Sequence, residues 1–283
     1  LKVGRPAAAL DALYNRISEL PIDLVFDLLD AAVAELNARG SAIHNMFAYH
    51  IEHVFKSLKT RGVPKIDIAR REYAYLPLLN HRGDPLTLHQ MMAENAEFFV
   101  SILCDVYEKT REQSQETSTK EQQNRARASY QLLRSFKFPG LVAGTLDTAI
   151  LRAWIAEVCR RGAEEDRLVV AELHIGHVLA HSPNDPNDNA WPNRGVREIL
   201  EEINNEQIER GIVTERINMR GAYYKAIHEG GQKERELAKQ CRTWAGVALA
   251  WSRASALLQR IAEWWEREAE AEDIRARQDQ MRE

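Results

Sequence analysis

The sequence predicts an all-α fold, an irregular solenoid-like stack of antiparallel helical hairpins, and three observations carry that prediction. Apolar residues recur at spacings of three and four through most of the chain, which puts them on one stripe of a helix that must be buried. Proline and glycine fall between these stripes and not within them. The connections between successive stripes are short, which favours antiparallel neighbours.

The elements follow in order. After Pro21, Val25, Leu28, Leu29, Ala32 and Leu36 form the first strong stripe, closed by Gly40-Ser41. Phe47, Ile51, Val54 and Leu58 form the second, ended by Gly62-Val63-Pro64. Thr87 and Gln90 have capping-box spacing, and Asn95 is placed to cap a helix carrying Phe98, Phe99, Ile102, Leu103 and Val106. Residues 109–127 lack any large apolar side chain and mark the best internal boundary: a polar linker, or the exposed first turns of the helix carrying Ala126, Tyr130, Leu133 and Phe136. The predicted organisation is an N-terminal helical subdomain over 1–108, this segment, and a C-terminal helical subdomain over 128–283.

Ile150, Leu151, Trp154 and Val158 open the second half. Ser182 to Asn193, rich in Pro, Asn and Asp, predicts a structured turn into a helix around Val196, Ile199, Leu200 and Ile203. Between Gly211 and Gly231 the chain reads as irregular, with Ile212-Val213-Thr214 briefly extended and no real sheet. Leu237, Cys241, Trp244, Ala248 and Trp251 form a further stripe. Beyond Trp264-Trp265 the sequence turns densely charged, with Asp273–Arg277 and Glu272–Arg275 spaced for support along a solvated helix end; a coiled-coil surface is the sharper alternative.

Composition narrows the function. The 283 residues carry 42 acidic against 38 basic side chains, a formal charge of −4, with no broad basic face to neutralise phosphates. Nucleic acid is disfavoured as a partner, although Arg125, Arg127 and Arg134 offer a local patch. No apolar run approaches the roughly 18 residues of a membrane span, so no membrane association is expected. Cys104, Cys159 and Cys241 are odd in number and lie within helical patterns, which predicts buried, reduced thiols in a cytoplasmic protein. The opening Leu1-Lys2-Val3-Gly4-Arg5-Pro6 has neither an initiator methionine nor a signal segment and reads as a piece of something longer.

The sharpest chemical constellation is Glu172-Leu173-His174-Ile175-Gly176-His177-Val178-Leu179-Ala180-His181. On a helix the three histidines fall within an arc of about 60°. Neutral imidazoles on adjacent turns can ligate zinc, and Asp185 or Asp188 lies close enough in sequence to add a carboxylate. The spacing departs from the zincin His-Glu-x-x-His motif, and a surface or interface stripe is the simpler reading. The His174-Ile175-Gly176-His177 string also matches the nucleotide-binding tetrapeptide of class I aminoacyl-tRNA synthetases, but without that family's surrounding fold or its lysine-rich partner motif. Asp185-Pro186-Asn187-Asp188-Asn189-Ala190 begins like a calcium loop but lacks the sixth-position glycine and the bidentate glutamate, so it reads as a turn. Glu229-Gly230-Gly231 opens a helix, a place where an anion can sit, without the lysine and serine of a phosphate-binding loop. No nucleophile elbow or catalytic triad context is visible.

Four segments together, Arg71–Leu79, Glu94–Val100, Ile175–Pro183 and Glu229–Ala238, resemble the C-terminal all-helical region of very large, poorly characterised multidomain bacterial proteins. The resemblance implies a module at the end of a long polypeptide, of the kind that carries sensing or scaffolding repeats in anti-phage defence. It brings no catalytic residues with it.

The sequence thus predicts a non-catalytic interaction or sensing module without a cofactor, whose partner is another domain of its parent or a separate protein. Arg220, Tyr223 and Tyr224, in a glycine-flanked loop, are the predicted contact residues. The competing readings are a metal-dependent hydrolase using His174, His177, His181 and Asp185, and a nucleic-acid sensor using the three arginines of the local patch.

Overall fold

The computed structural model describes residues 5–39, 45–79, 86–109, 119–136, 138–142, 144–221 and 229–281. They are overwhelmingly helical, so the chain is all-α. It divides into two compact units, Leu1–Glu108 with Glu112–Phe136, and Lys109–Arg111 with Lys137–Glu283.

The first unit holds α1 (Pro6–Leu13), a 3-10 turn (Tyr14–Glu19), α2 (Ile22–Arg39), α3 (Asn45–Thr60), α4 (Lys65–Ala74), α5 (Leu76–Leu79), α6 (Leu86–Glu94), α7 (Ala96–Val106) and α8 (Lys120–Ser135). The predicted stripes are its core: Val25, Leu28, Leu29, Ala32, Phe47, Ile51, Val54 and Leu58 are all buried, together with Leu10, Ile17, Ile68 and Tyr75. The buried Tyr75 hydroxyl donates to the Leu29 carbonyl at 2.7 Å, which satisfies its polar end inside an apolar cluster. Asn95 caps α7 as its position predicts, accepting from the Phe98 amide at 3.0 Å. Thr87, by contrast, lies within α6, and the cap there comes from another helix: Glu72 of α4 accepts from the Leu88 amide at 2.8 Å. Burial raises the Glu72 carboxyl to about 7, against the lowering effect of that amide.

The boundary between the units falls after Phe136 instead of after residue 127, because α8 packs against α7. Leu132, Leu133 and Phe136 are buried, and the Phe136 ring meets Phe99 with centroids 5.6 Å apart. The polar residues that open α8 form a capping box, in which Thr119 and Gln122 satisfy each other's backbone amides.

The second unit holds a short hairpin of β1 (Leu141–Val142) and β2 (Thr145–Leu146), then α9 (Thr148–Glu164), α10 (Leu168–Ala180), α11 (Arg194–Ile203), α12 (Glu206–Asn218), α13 (Gln232–Val247) and α14 (Ser252–Gln280). The antiparallel hairpin pairs Leu141 with Leu146 and Val142 with Thr145, a ladder too short to announce itself in the sequence. The expected irregular zone after Gly211 is corrected: Ile212, Val213 and Thr214 continue α12, which Asn205 caps through the Gln207 and Ile208 amides. Tertiary packing overrides the local β preference, since Ile208 and Ile212 are buried in a helix that lies against α10. That packing depends on two glycines. A Cβ on Gly176 would lie 2.1 Å from the Ile208 carbonyl oxygen, and one on Gly211 would lie 2.1 Å from that of Leu173.

α13 and α14 form a long hairpin. Cys241, Ala245 and Ala248 are buried with Leu257, Leu258, Ile261 and Trp265. Asp273 of α14 accepts from the Gly231 amide at 2.7 Å and pairs with Arg235, which holds its carboxyl down to about 2. Arg242 meets Glu266 through two bonds of 2.7 Å. The charged end of the chain is thus clasped to α13, and Arg277 donates to the Asp273 backbone carbonyl instead of its carboxylate.

Candidate functional site: an arginine groove between two helices

His174 and His177 lie on α10 with ring centroids 4.9 Å apart, edge to face. Burial lowers the His174 imidazole to about 3, reinforced by His177, and burial lowers His177 as well. His181 turns instead to Glu215 of α12, with Nε2 3.1 Å from Oε1. Asp185 accepts from the amides of Asn187 at 2.9 Å and Arg194 at 3.0 Å. Among the described residues, no group of three or more His, Cys, Asp and Glu side chains is placed to hold a metal ion. His174, His177, His181 and Asp185 share a region of sequence but not a coordination point, because His174 and His177 pack against each other while His181 turns to Glu215 and Asp185 to its own loop.

The turn between α10 and α11 uses its carboxylates on itself. Asp188 takes two bonds from the fully buried Arg197, at 2.6 and 2.9 Å, and Arg197 also donates to the carbonyls of Pro192 and Ala190. The oxygens that resemble a calcium loop are thus the acceptors of a buried guanidinium and of their own loop's amides.

Arg220 is anchored. Its Nη2 lies 2.7 Å from Oε1 of the fully buried Glu234, and its guanidinium lies 4.9 Å from the Trp265 ring centroid. Tyr223 and Tyr224 lie outside the described residues. A neighbouring arginine repeats the arrangement: Arg216 lies 4.4 Å from the Trp191 ring centroid and 5.8 Å from that of Trp244, and burial lowers its pKa. Trp191, Trp244, Trp251 and Trp265 of this unit serve as platforms for its arginines.

The three arginines of the nucleic-acid reading lie on α8. Arg127 and Arg134 share a face, but Arg125 projects roughly 160° or more from either. Arg125 pairs with Asp105 at 2.8 Å, so the local basic patch is divided and partly neutralised.

A different cluster emerges where α12 meets α14. Glu206, Arg210 and Thr214 recur every four residues along α12, and Arg253, Ala256 and Arg260 recur at three and four along α14. These stripes line a groove of about 840 Å³. Glu209, only 5% exposed, sits with them and takes both Arg253 (Nε to Oε1, 2.7 Å) and Arg260 (Nη2 to Oε2). Glu201 accepts the Arg253 and Ala254 amides and so caps α14. Sequence reading did not find this cluster, because Glu209 lies 44 and 51 residues from its two partners.

Just before the groove, the α13–α14 turn presents Val247 and Leu249 to solvent, with Leu249 72% exposed. The turn from Ala245 to Trp251 contains no charged residue.

No family model, curated protein or solved structure matches the chain. No helix among the described residues is long and apolar enough to cross a membrane.

Proposed function

We propose that this chain is a non-catalytic interaction and sensing module of a larger bacterial protein, its helices stacked in solenoid-like fashion. The reading of that parent as an anti-phage defence protein rests on the resemblance of four of its segments to the helical ends of multidomain bacterial proteins. The observation that carries the interaction reading is the tip of the α13–α14 hairpin, where Leu249 is 72% exposed beside Val247 in an uncharged turn. Large aliphatic side chains gathered at a hairpin tip are held out of water when a protein surface covers them. The contact therefore centres on this tip, and Arg220 is a structural anchor away from it, bound to Glu234 in the first turn of α13 and to Trp265 in mid-α14.

The test is a photo-crosslinking residue placed at position 249 in the full-length protein, expressed in its own host. A discrete adduct with another domain or another protein is expected, lost on Val247→Glu. An adduct yield at 249 no greater than at the charged control position Lys239 overturns the reading.

A further inference from the structure

The geometry points to the α12–α14 groove as a binding site for a small phosphate-bearing ligand, with Arg210, Arg253 and Arg260 as its cationic contacts. The inference goes beyond the protein contact at the hairpin tip and does not depend on it.

Glu209 organises the groove wall. It is 5% exposed and receives bonds from two arginines of another helix, which fixes both guanidiniums at the groove wall. A single carboxylate balances only one of them. Arg253 places Nε and Nη2 on Glu209 and leaves Nη1 over, while Arg260 places only Nη2 there. Arg210 lines the same groove, is exposed, and has no partner among the described residues. Among the lining residues three guanidiniums face the two carboxylates of Glu206 and Glu209, one positive charge in excess, while Glu201 at the groove's edge is taken up by Ser252 and the Arg253 amide.

Planar guanidiniums held in a fixed orientation match the oxygens of phosphate, which they bind through paired N–H donors. Thr214 and Gln207 add neutral donors to the lining, and Val213 with Ala256 supplies a small apolar wall for the remainder of a ligand. A volume of about 840 Å³ falls within the range of small-molecule sites. Pre-setting two of the three arginines on Glu209 lowers the ordering cost of binding.

The experiment is titration calorimetry on the whole 283-residue chain at low ionic strength, with inorganic pyrophosphate and adenosine diphosphate as separate probes. Saturable binding is expected, weakened at least about tenfold by Arg210→Gln, whose side chain supports no fold contact, and unchanged by Arg275→Gln, a surface arginine elsewhere on α14. Tighter binding of the diphosphate ester than of pyrophosphate assigns the apolar wall to the organic part of the ligand, and equal binding confines the site to the phosphate. Absence of saturable heat with both probes, binding unchanged by Arg210→Gln, or an equal loss in both variants overturns the site. Circular dichroism on each variant separates lost binding from lost fold.

Discussion

Gly176 and Gly211 face each other across the α10–α12 contact so closely that a Cβ on Gly176 would lie 2.7 Å from the Gly211 Cα, and one on Gly211 would lie 2.9 Å from the Gly176 Cα. The obstacles on both sides are backbone atoms, which cannot rotate away. Gly176→Ala is therefore expected to push the helices apart and to cost about 3 kcal/mol. For a unit of this size that lowers the midpoint by roughly 6–12 °C. Thermal denaturation of the variant checks it, and an unchanged midpoint contradicts the close packing.

Arg197 is fully buried and holds the loop between α10 and α11 through Asp188 and the carbonyls of Pro192 and Ala190. Arg197→Met keeps most of the volume but strands those acceptors. A loss of about 3 kcal/mol is expected, tempered because Asp188 is about one-third exposed. Urea unfolding measures it, and a loss below about 1 kcal/mol contradicts a buried network that organises the loop.

The two units are expected to respond to acid in opposite directions. In the first, burial raises Glu72 to about 7 from its ordinary value of 4.5, so the folded unit binds a proton that the unfolded chain releases. Its contribution is full below pH 4.5 and is lost as pH rises toward 7, by about 3 kcal/mol in all. In the second, burial lowers His174 to about 3 from its ordinary value of 6.5, so protons favour the unfolded chain as pH falls below 6.5. By pH 5.5 the loss is about 1.4 kcal/mol, and His177, lowered by the same cause, adds to it. Hydrogen exchange at pH 5.5 and 7.5 reads the units separately. Glu72→Gln flattens the first dependence and His174→Gln the second; parallel responses in both units contradict the assignment.

Arg220→Ala removes a guanidinium from the fully buried Glu234 and from the face of Trp265. A structural anchor predicts a stability loss of about 3 kcal/mol, visible by calorimetry without any partner present. If Arg220 is instead only a contact residue, the isolated protein melts unchanged.

Much of the fold was legible because its physics is local. The stripe from Val25 to Leu36 and that from Phe47 to Leu58 state their burial in their spacing, and Asn95 states its cap. What escaped depends on partners distant in sequence. Gly211 reads as a breaker until Gly176 stands opposite it, and Ile212-Val213-Thr214 reads as extended until α10 covers it. Glu72 caps a helix 16 residues downstream, outside any local motif. At the candidate site the difficulty is the same. The histidines were conspicuous by proximity, yet only His174 and His177 meet, whereas the arginines of the groove come together only when α12 and α14 pack.

The clasp between Asp273, Gly231 and Arg235 has a mechanical consequence. α14 has 29 residues and is about 43 Å long, and bonds to α13 lie near both its middle, at Glu266, and its far end, at Asp273. A rod pinned at two points to a parallel strut resists bending, so a sideways load at residues beyond Asp273 is resisted as shear along the hairpin. α14 runs on past the last clasp, so a load on its final turns enters α13 at Arg235, the end of that helix opposite the turn bearing Leu249.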